Sequence, residues 1–277
     1  MDNSMDANEQ MEAEAFDRLA ELSHPSELLT SDWTFARYRN ATLGNPMRRS
    51  YPDLVFSHIG RRFTPTDSAR PLAGLRILDL GAGDGIWSVI LAEQGANVVS
   101  VEISPKSVNL ARERMRLHHL SWEAHVWSAY RLPERLPEAS FDLVLGQAVL
   151  HHLTKGLPVV FSGVSALLKP AGFAMFTEPY LDSVVLRSVR HGLAWLVPQH
   201  LESPDERPLR REDLRVLYRL FADVHLDHFY FFQRLTRRFL DRPGPDALAA
   251  RLDRVLSRLR CLHPYAGMIF IAVRKSS

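Results

Sequence analysis

The chain has 277 residues, 46% of them hydrophobic and 24% charged, globular values with enough apolar material for a sizeable core. A formal net charge of +2 offers no global case for a nucleic-acid binder. The single cysteine, Cys261, excludes an internal disulfide and suits a reducing cytosol, and no apolar stretch approaches the ~20 residues that cross a bilayer.

Residues 1–14 carry only acidic charges, without the basic start and apolar run of a signal peptide, so residues 1–15 read as a flexible acidic leader. Residues 16–74 read as a helical lid and linker. Trp33, Phe35, Tyr38 and Tyr51 are scattered through it, Asn45-Pro46 interrupts the helical pattern, and Pro65 and Pro71 mark the exit. From residue 75 the pattern becomes strand–helix alternation, the mark of a parallel sheet. Strands are expected at 76–80, 97–102, 123–127, 141–146 and 173–178. Helices are expected at 86–92, from Ser104-Pro105 to about 117, and at 158–168. Serine as N-cap with proline at the first helical position is a strong start signal.

Beyond residue 178 the alternation lapses into helical segments at 181–196 and 211–220, then a strand at 224–232. An amphipathic helix at 245–259 carries Leu248, Leu252, Val255, Leu256 and Leu259 on one stripe, and a last strand falls at 268–275. Cys261 follows that stripe, so it is expected to be packed and buried.

The most informative run is Leu78-Asp79-Leu80-Gly81-Ala82-Gly83-Asp84-Gly85, with Glu102 ending the next strand. A glycine turn between a strand and a helix places a ligand above the helix N-terminus, and a carboxylate on the neighbouring strand tip can accept from ribose hydroxyls. A dinucleotide fingerprint requires G-x-G-x-x-G, and Ile86 stands where the third glycine belongs. Asp79 adds a carboxylate that would repel a pyrophosphate and suit a cationic ligand.

These residues resemble the first motif of the class I S-adenosylmethionine-dependent methyltransferases, and specifically their small-molecule, type 11-like branch. Residues 141–153, ending Gln147-Ala148-Val149-Leu150-His151-His152-Leu153, resemble the fourth strand and following loop of that branch. The resemblance implies a doubly wound, Rossmann-like seven-stranded sheet over residues 75–277, with cap insertions at about 181–220 and 235–262. It implies S-adenosylmethionine held by Asp79, Gly81, Ala82, Gly83, Gly85, Glu102 and Ile103, by the Ser128-Ala129-Tyr130 loop, by Gln147, and by Tyr38 as a lid residue. Ser128 stands where the family often has an aspartate for the adenine amino group.

For catalysis the resemblance points to His152 on the acceptor side, with His151 and Glu178 as further candidates. Histidine titrates in the range a general base needs. Neither 146–148 nor 178–180 supplies the Asn/Asp-Pro-Pro-aromatic box of amino-group methylation. The pairs His118-His119 and His151-His152 lack a carboxylate or thiol partner at metal-ligand spacing, so no metal set is expected.

The expected function is therefore methyl transfer to a small, largely hydrophobic and conceivably anionic acceptor, with oxygen ahead of carbon and nitrogen. The setting would be bacterial specialised metabolism in the cytoplasm. Residues 231–260 hold eight arginines against three aspartates, flanked by Phe229 to Phe232. Such a segment can cap a helical domain, contact a membrane surface or bind RNA. An RNA methyltransferase and a non-catalytic cofactor-binding partner are the alternatives; the sequence leaves the oligomeric state open.

Overall fold

The computed structural model describes residues 5–23, 46–63, 70–192, 206–231, 252–253 and 255–277. Seven strands form one sheet: β1 (Arg76–Leu80), β2 (Asn97–Glu102), β3 (Glu123–Val126), β4 (Phe141–Gln147), β5 (Leu168–Pro179), β6 (Asp223–Phe229) and β7 (Met268–Arg274). Their order is β3-β2-β1-β4-β5-β7-β6. β1 to β5 run parallel, and β7 lies antiparallel between β5 and β6. The strand order reverses between β1 and β4, so the crevice at the carboxyl ends of β1, β2 and β4 is where a ligand belongs in such a sheet.

Helices α1 (Ala7–Ser23) and α2 (Pro46–Arg62) precede the sheet. After the strands come α3 (Ile86–Glu93), α4 (Pro105–Leu117), α5 (Leu132–Arg135), α6 (Leu157–Leu167), α7 (Val184–Gly192) and α8 (Leu217–Leu220). Period-two alternation divides the strand residues between two faces. Leu78, Leu80 and Val144 join Val160, Phe161 and Val164 of α6 in one apolar layer. Ile77, Leu143 and Leu145 join Val89 and Ile90 of α3 and Val55 and Ile59 of α2 in the other. This explains why the central strands read as continuous apolar runs: both of their faces are covered.

The glycine turn is shaped by close approach. Gly85 has φ +80°, and a β-carbon there would lie 2.7 Å from Ala111 Cβ on α4. Arg114 of α4 is buried with its Nη2 2.5 Å from Asp84 Oδ2 and its Nε donating to the Asp84 carbonyl at 2.9 Å. The second acid of the turn thus serves as a buried counter-ion. At the start of α4 the N-cap forms as the sequence predicts, with Ser104 Oγ accepting from the Ser107 amide at 3.0 Å.

Three expectations change. The acidic leader is helical from Ala7, because Asp6 and Glu9 form a capping box: Asp6 Oδ1 accepts from the Glu9 amide at 2.9 Å and Glu9 Oε2 from the Asp6 amide at 2.8 Å. Asp17 of the same helix accepts from Ser104 Oγ (2.5 Å) and the Lys106 amide (3.1 Å), placing a carboxylate at the positive end of α4. Residue 168, expected to end the preceding helix, and residues 169–172, expected as the turn into the fifth strand, are the beginning of that strand. Cys261 is exposed, on a short 3-10 segment (Arg260–Tyr265) outside the leucine stripe. Most of the arginine-rich run, and Tyr38, lie outside the described residues.

Truncating one partner of a buried ion pair strands the other. Arg114→Ala should therefore lower unfolding free energy by about 3 kcal/mol, read from urea denaturation; a loss under about 1 kcal/mol would remove the Arg114–Asp84 pair from the determinants of the turn.

Candidate active site

A cavity of about 210 Å³ opens at the carboxyl ends of β1, β2 and β4. Gly81 and Gly83 line it from the turn after β1, Glu102 and Ile103 from the tip of β2, and Trp127 to Tyr130 from the exit of β3. Gln147 to Val149, His152 and Leu153 follow β4, and Glu12 and Phe16 of α1 close one side. Gly81 (φ +67°) and Gly83 (φ +54°) keep the turn free of side chains. At Gly81 a β-carbon would collide with Val149, so glycine is what lets the β4 loop approach.

Glu102 is 8% exposed, and its carboxylate organises the strand tips. Oε2 accepts from the Gly83 amide at 3.0 Å; Oε1 accepts from the Ile103 and Ser104 amides at 2.7 and 2.9 Å. Burial pushes its pKa up, and the amides of Ser104, Gly83 and Ile103 pull against that rise. A carboxylate has roughly four lone-pair sites, so three bonds leave room for one further donor rather than both hydroxyls of a ribose.

Gln147 is the clearest polar invitation to a ligand. The residue lines the cavity, and its side-chain oxygen and nitrogen are both buried with no hydrogen-bond partner among the described residues. Such an amide is costly unless something that enters the cavity satisfies it. Ser128 is already engaged: its hydroxyl accepts from the Tyr130 amide at 3.2 Å and donates to Glu9 of α1. It orders the loop, leaving Ala129 and Tyr130 to meet a ligand.

Asp79 does not line the cavity. It shares a face of β1 with Ile77, and Ser88 of α3 donates to it at 2.6 Å. Burial, with the charges of Glu102 and Asp84, raises its pKa to about 7 against the Ser88 hydrogen bond. Ala82 and Gly85 are likewise parts of the turn behind the cavity wall. Ala82 donates its amide to the Val101 carbonyl at 3.2 Å, and Gly85 packs on α4.

Glu178 is fully buried and does not itself line the cavity. Oε1 accepts from the amides of Val149 (2.9 Å) and Leu150 (2.8 Å). Oε2 takes the His151 amide (3.3 Å) and His151 Nδ1 (2.8 Å). Sequence reasoning nominated Glu178 as a catalytic carboxylate; its geometry makes it the clamp of the β4 loop. For His151, burial lowers the pKa, but the hydrogen bond and charge of Glu178, with Glu206 and Glu12, outweigh it and the net shift is upward.

His152 alone of the three faces the cavity. Its Nδ1 lies 3.4 Å from Glu12 Oε1 and 3.8 Å from Glu206 Oε2, and Phe16 meets the ring edge-on at 4.9 Å. Burial and the adjacent His151 push its pKa down to about 3, so the imidazole is neutral at physiological pH. Glu12 and Glu206 were not foreseen. The Asp6/Glu9 capping spacing could have flagged a helix that carries Glu12; nothing local flags Glu206.

A glycine turn on β1, a carboxylate on β2 and an open crevice beside an unsatisfied glutamine define an S-adenosylmethionine-dependent enzyme with the class I methyltransferase fold. A family model described as a methyltransferase domain matches residues 77–172. The ubiquinone biosynthesis O-methyltransferase of Rhizobium etli is 33% identical over 177 residues, spanning 58% of this chain and 68% of that protein. Its namesake in Agrobacterium fabrum is 28% identical over 202 residues, 67% of this chain and 77% of that one. Among solved structures, geranyl diphosphate C-methyltransferase from Streptomyces coelicolor A3(2) superimposes with a TM-score of 0.58 at 13% identity, covering 98% of this chain and 100% of that one. A SAM-dependent methyltransferase from Archaeoglobus fulgidus gives 0.51 at 18% identity, over 80% and 94%. The chain belongs to the class I S-adenosylmethionine-dependent methyltransferases, in their type 11-like branch.

Glu102→Ala should weaken S-adenosylmethionine binding by ~1–3 kcal/mol in calorimetric titration, through the lost acceptor and the released Gly83 amide. Unchanged affinity in a folded variant would remove Glu102 from the cofactor site. Asp79 gives a pH signature: its folded pKa is raised, so its contribution to stability is complete below about pH 4 and is lost as pH rises towards 7. In the ligand-free protein Asp79→Asn should flatten the decline in stability between about pH 4 and about pH 7; parallel curves for both proteins would remove Asp79 from that decline.

Proposed function

We propose that the enzyme methylates a hydroxyl oxygen of a small, largely apolar acceptor. The observation that carries this reading is the end of the cavity: neutral His152 between the carboxylates Glu12 and Glu206, beside walls of Phe16, Val149 and Leu153. The relatives' printed activity, O-methylation in ubiquinone biosynthesis, supports the choice of oxygen.

S-Adenosylmethionine, when bound, supplies a methyl group on a positively charged sulfur, which departs as a neutral thioether. The chain's own residues do the rest. Gly81, Gly83, Glu102, Ile103, Ala129, Tyr130 and Gln147 line the cavity and in this reading hold the cofactor, while Glu12 and Phe16 of α1 line it from one side. A wall of this kind excludes water and fixes the line of approach, and orientation is the largest contribution available to a displacement reaction. An acceptor hydroxyl must lose its proton as the new oxygen–carbon bond forms; neutral His152 is the base at hand, and the Glu12 and Glu206 carboxylates beside it would have to support the imidazolium against the burial that depresses its pKa.

Glu12 and Glu206 also discriminate. An anionic group at this end would meet two carboxylates, so the oxygen that enters here belongs to a neutral hydroxyl on an apolar frame. Quinone precursors and many specialised metabolites share that chemistry, and both belong in the acceptor panel. The reading takes the cytosol as its compartment on the single cysteine; among the described residues no helix is long and apolar enough to cross a membrane.

Transfer of labelled methyl to phenolic acceptors, followed by mass spectrometry, tests the class. His152→Ala should reduce turnover by about 10²–10⁴-fold while cofactor affinity stays within about threefold. Full activity in that variant would reduce His152 to a packing residue.

A further inference from the structure

The residues around His152 have a second property that adjacent spacing in the sequence concealed. One donor atom from each of His151, His152 and Glu206 lies within 4.8 Å of the other two. His151 Nε2 is 3.7 Å from Glu206 Oε1, and His152 Nδ1 is 3.8 Å from Glu206 Oε2. From α1, Glu12 Oε1 stands 3.4 Å from the same His152 Nδ1. Metal–ligand bonds of about 2.0–2.1 Å at tetrahedral angles separate neighbouring donors by roughly 3.3 Å. Each of the two histidine–Glu206 separations therefore needs to close by about half an ångström to reach that spacing, and Glu12 belongs to the group only through His152.

Two further observations point to a ligand. Buried His152 Nδ1 has no hydrogen-bond partner among the described residues. Glu178 accepts from His151 Nδ1 at 2.8 Å, which assigns the proton to that nitrogen and turns the Nε2 lone pair towards Glu206. A carboxylate behind a histidine in this way is the usual support of a metal-bound imidazole.

We propose that His151, His152 and Glu206 form a divalent transition-metal site beside the cavity, with one position left open on the cavity side. Two imidazoles and a carboxylate suit Zn²⁺, with Fe²⁺ and Co²⁺ close behind, better than the all-oxygen surroundings favoured by Mg²⁺ or Ca²⁺. The inference rests on the oxygen-methylation reading for its consequence. An acceptor hydroxyl that takes the open position becomes more acidic on the ion. The role of His152 then changes from proton acceptor to ligand.

The experiment uses the full chain, stripped with a chelator and titrated with Zn²⁺ by calorimetry, with Co²⁺ absorption as a second readout. One equivalent should bind, and Glu206→Gln, on the outer side of the cluster, should weaken it at least about tenfold without altering S-adenosylmethionine binding. A second histidine–carboxylate group, His58, His225 and Asp227, supplies the control. There Arg61 Nη2 lies 2.9 Å from His58 Nδ1, which opposes a cation. Zinc uptake should survive His225→Gln. Failure to bind, or binding lost in His225→Gln and kept in Glu206→Gln, overturns the site. Methyl transfer to phenols that persists after chelation would sink the metal role and leave the oxygen reading standing. Zinc bound at Glu206 with no hydroxyl acceptor methylated would do the reverse.

Discussion

The buried carboxylate of Glu178 holds the site in register. It comes from β5, on the same face as Ala174 and Phe176, and it meets the chain where β4 ends and the backbone must turn away from the sheet. That turn is strained: Ala148 adopts φ +56°, a conformation that costs a residue with a β-carbon and persists only when its surroundings impose it. Glu178 imposes it by accepting three consecutive amides and the His151 ring. A fully buried charge would be expensive alone, and four donors are what make it tolerable. With His151 turned towards Glu178, the next residue, His152, faces the cavity.

A similar logic governs the other side of the crevice. Glu102 gathers amides from the glycine turn and from its own strand tip, so the β1 and β2 ends move as one unit. Asp84 and Arg114 fasten the far end of that turn to α4. Three carboxylates near the cavity thus shape backbone, and each was open to a reading as ligand-binding or catalytic group. What separates the roles is burial and prior commitment of lone pairs: Glu178 has none left, Glu102 has room for one donor, and Gln147 has all of its capacity unfilled.

Helix α1 joins the cofactor pocket to the acceptor end. Glu9 meets Ser128, Asp17 caps α4, and Glu12 and Phe16 approach His152. The helix is anchored by polar contacts at both ends while its middle faces the cavity, so a single element both covers the cofactor pocket and contributes a charged group to the acceptor end.

The sequence by itself determined the sheet, the glycine turn and the cofactor class. These rest on signals that are local: short continuous apolar runs, an N-cap at Ser104-Pro105, glycines where the backbone turns left-handed, and a carboxylate one strand on. It also placed Gln147 at the end of β4 and His152 on the loop that follows. Only the tertiary structure decided which polar residues face the cavity. Asp79 fell on the α3 side because alternation along β1 sets it with Ile77, and Glu178 became a clamp because β5 aims it beneath the β4 loop. The group formed by His151, His152, Glu206 and Glu12 spans α1, the β4 loop and the segment after α7. Residues so far apart in the chain share no spacing, and only folding sets their distances.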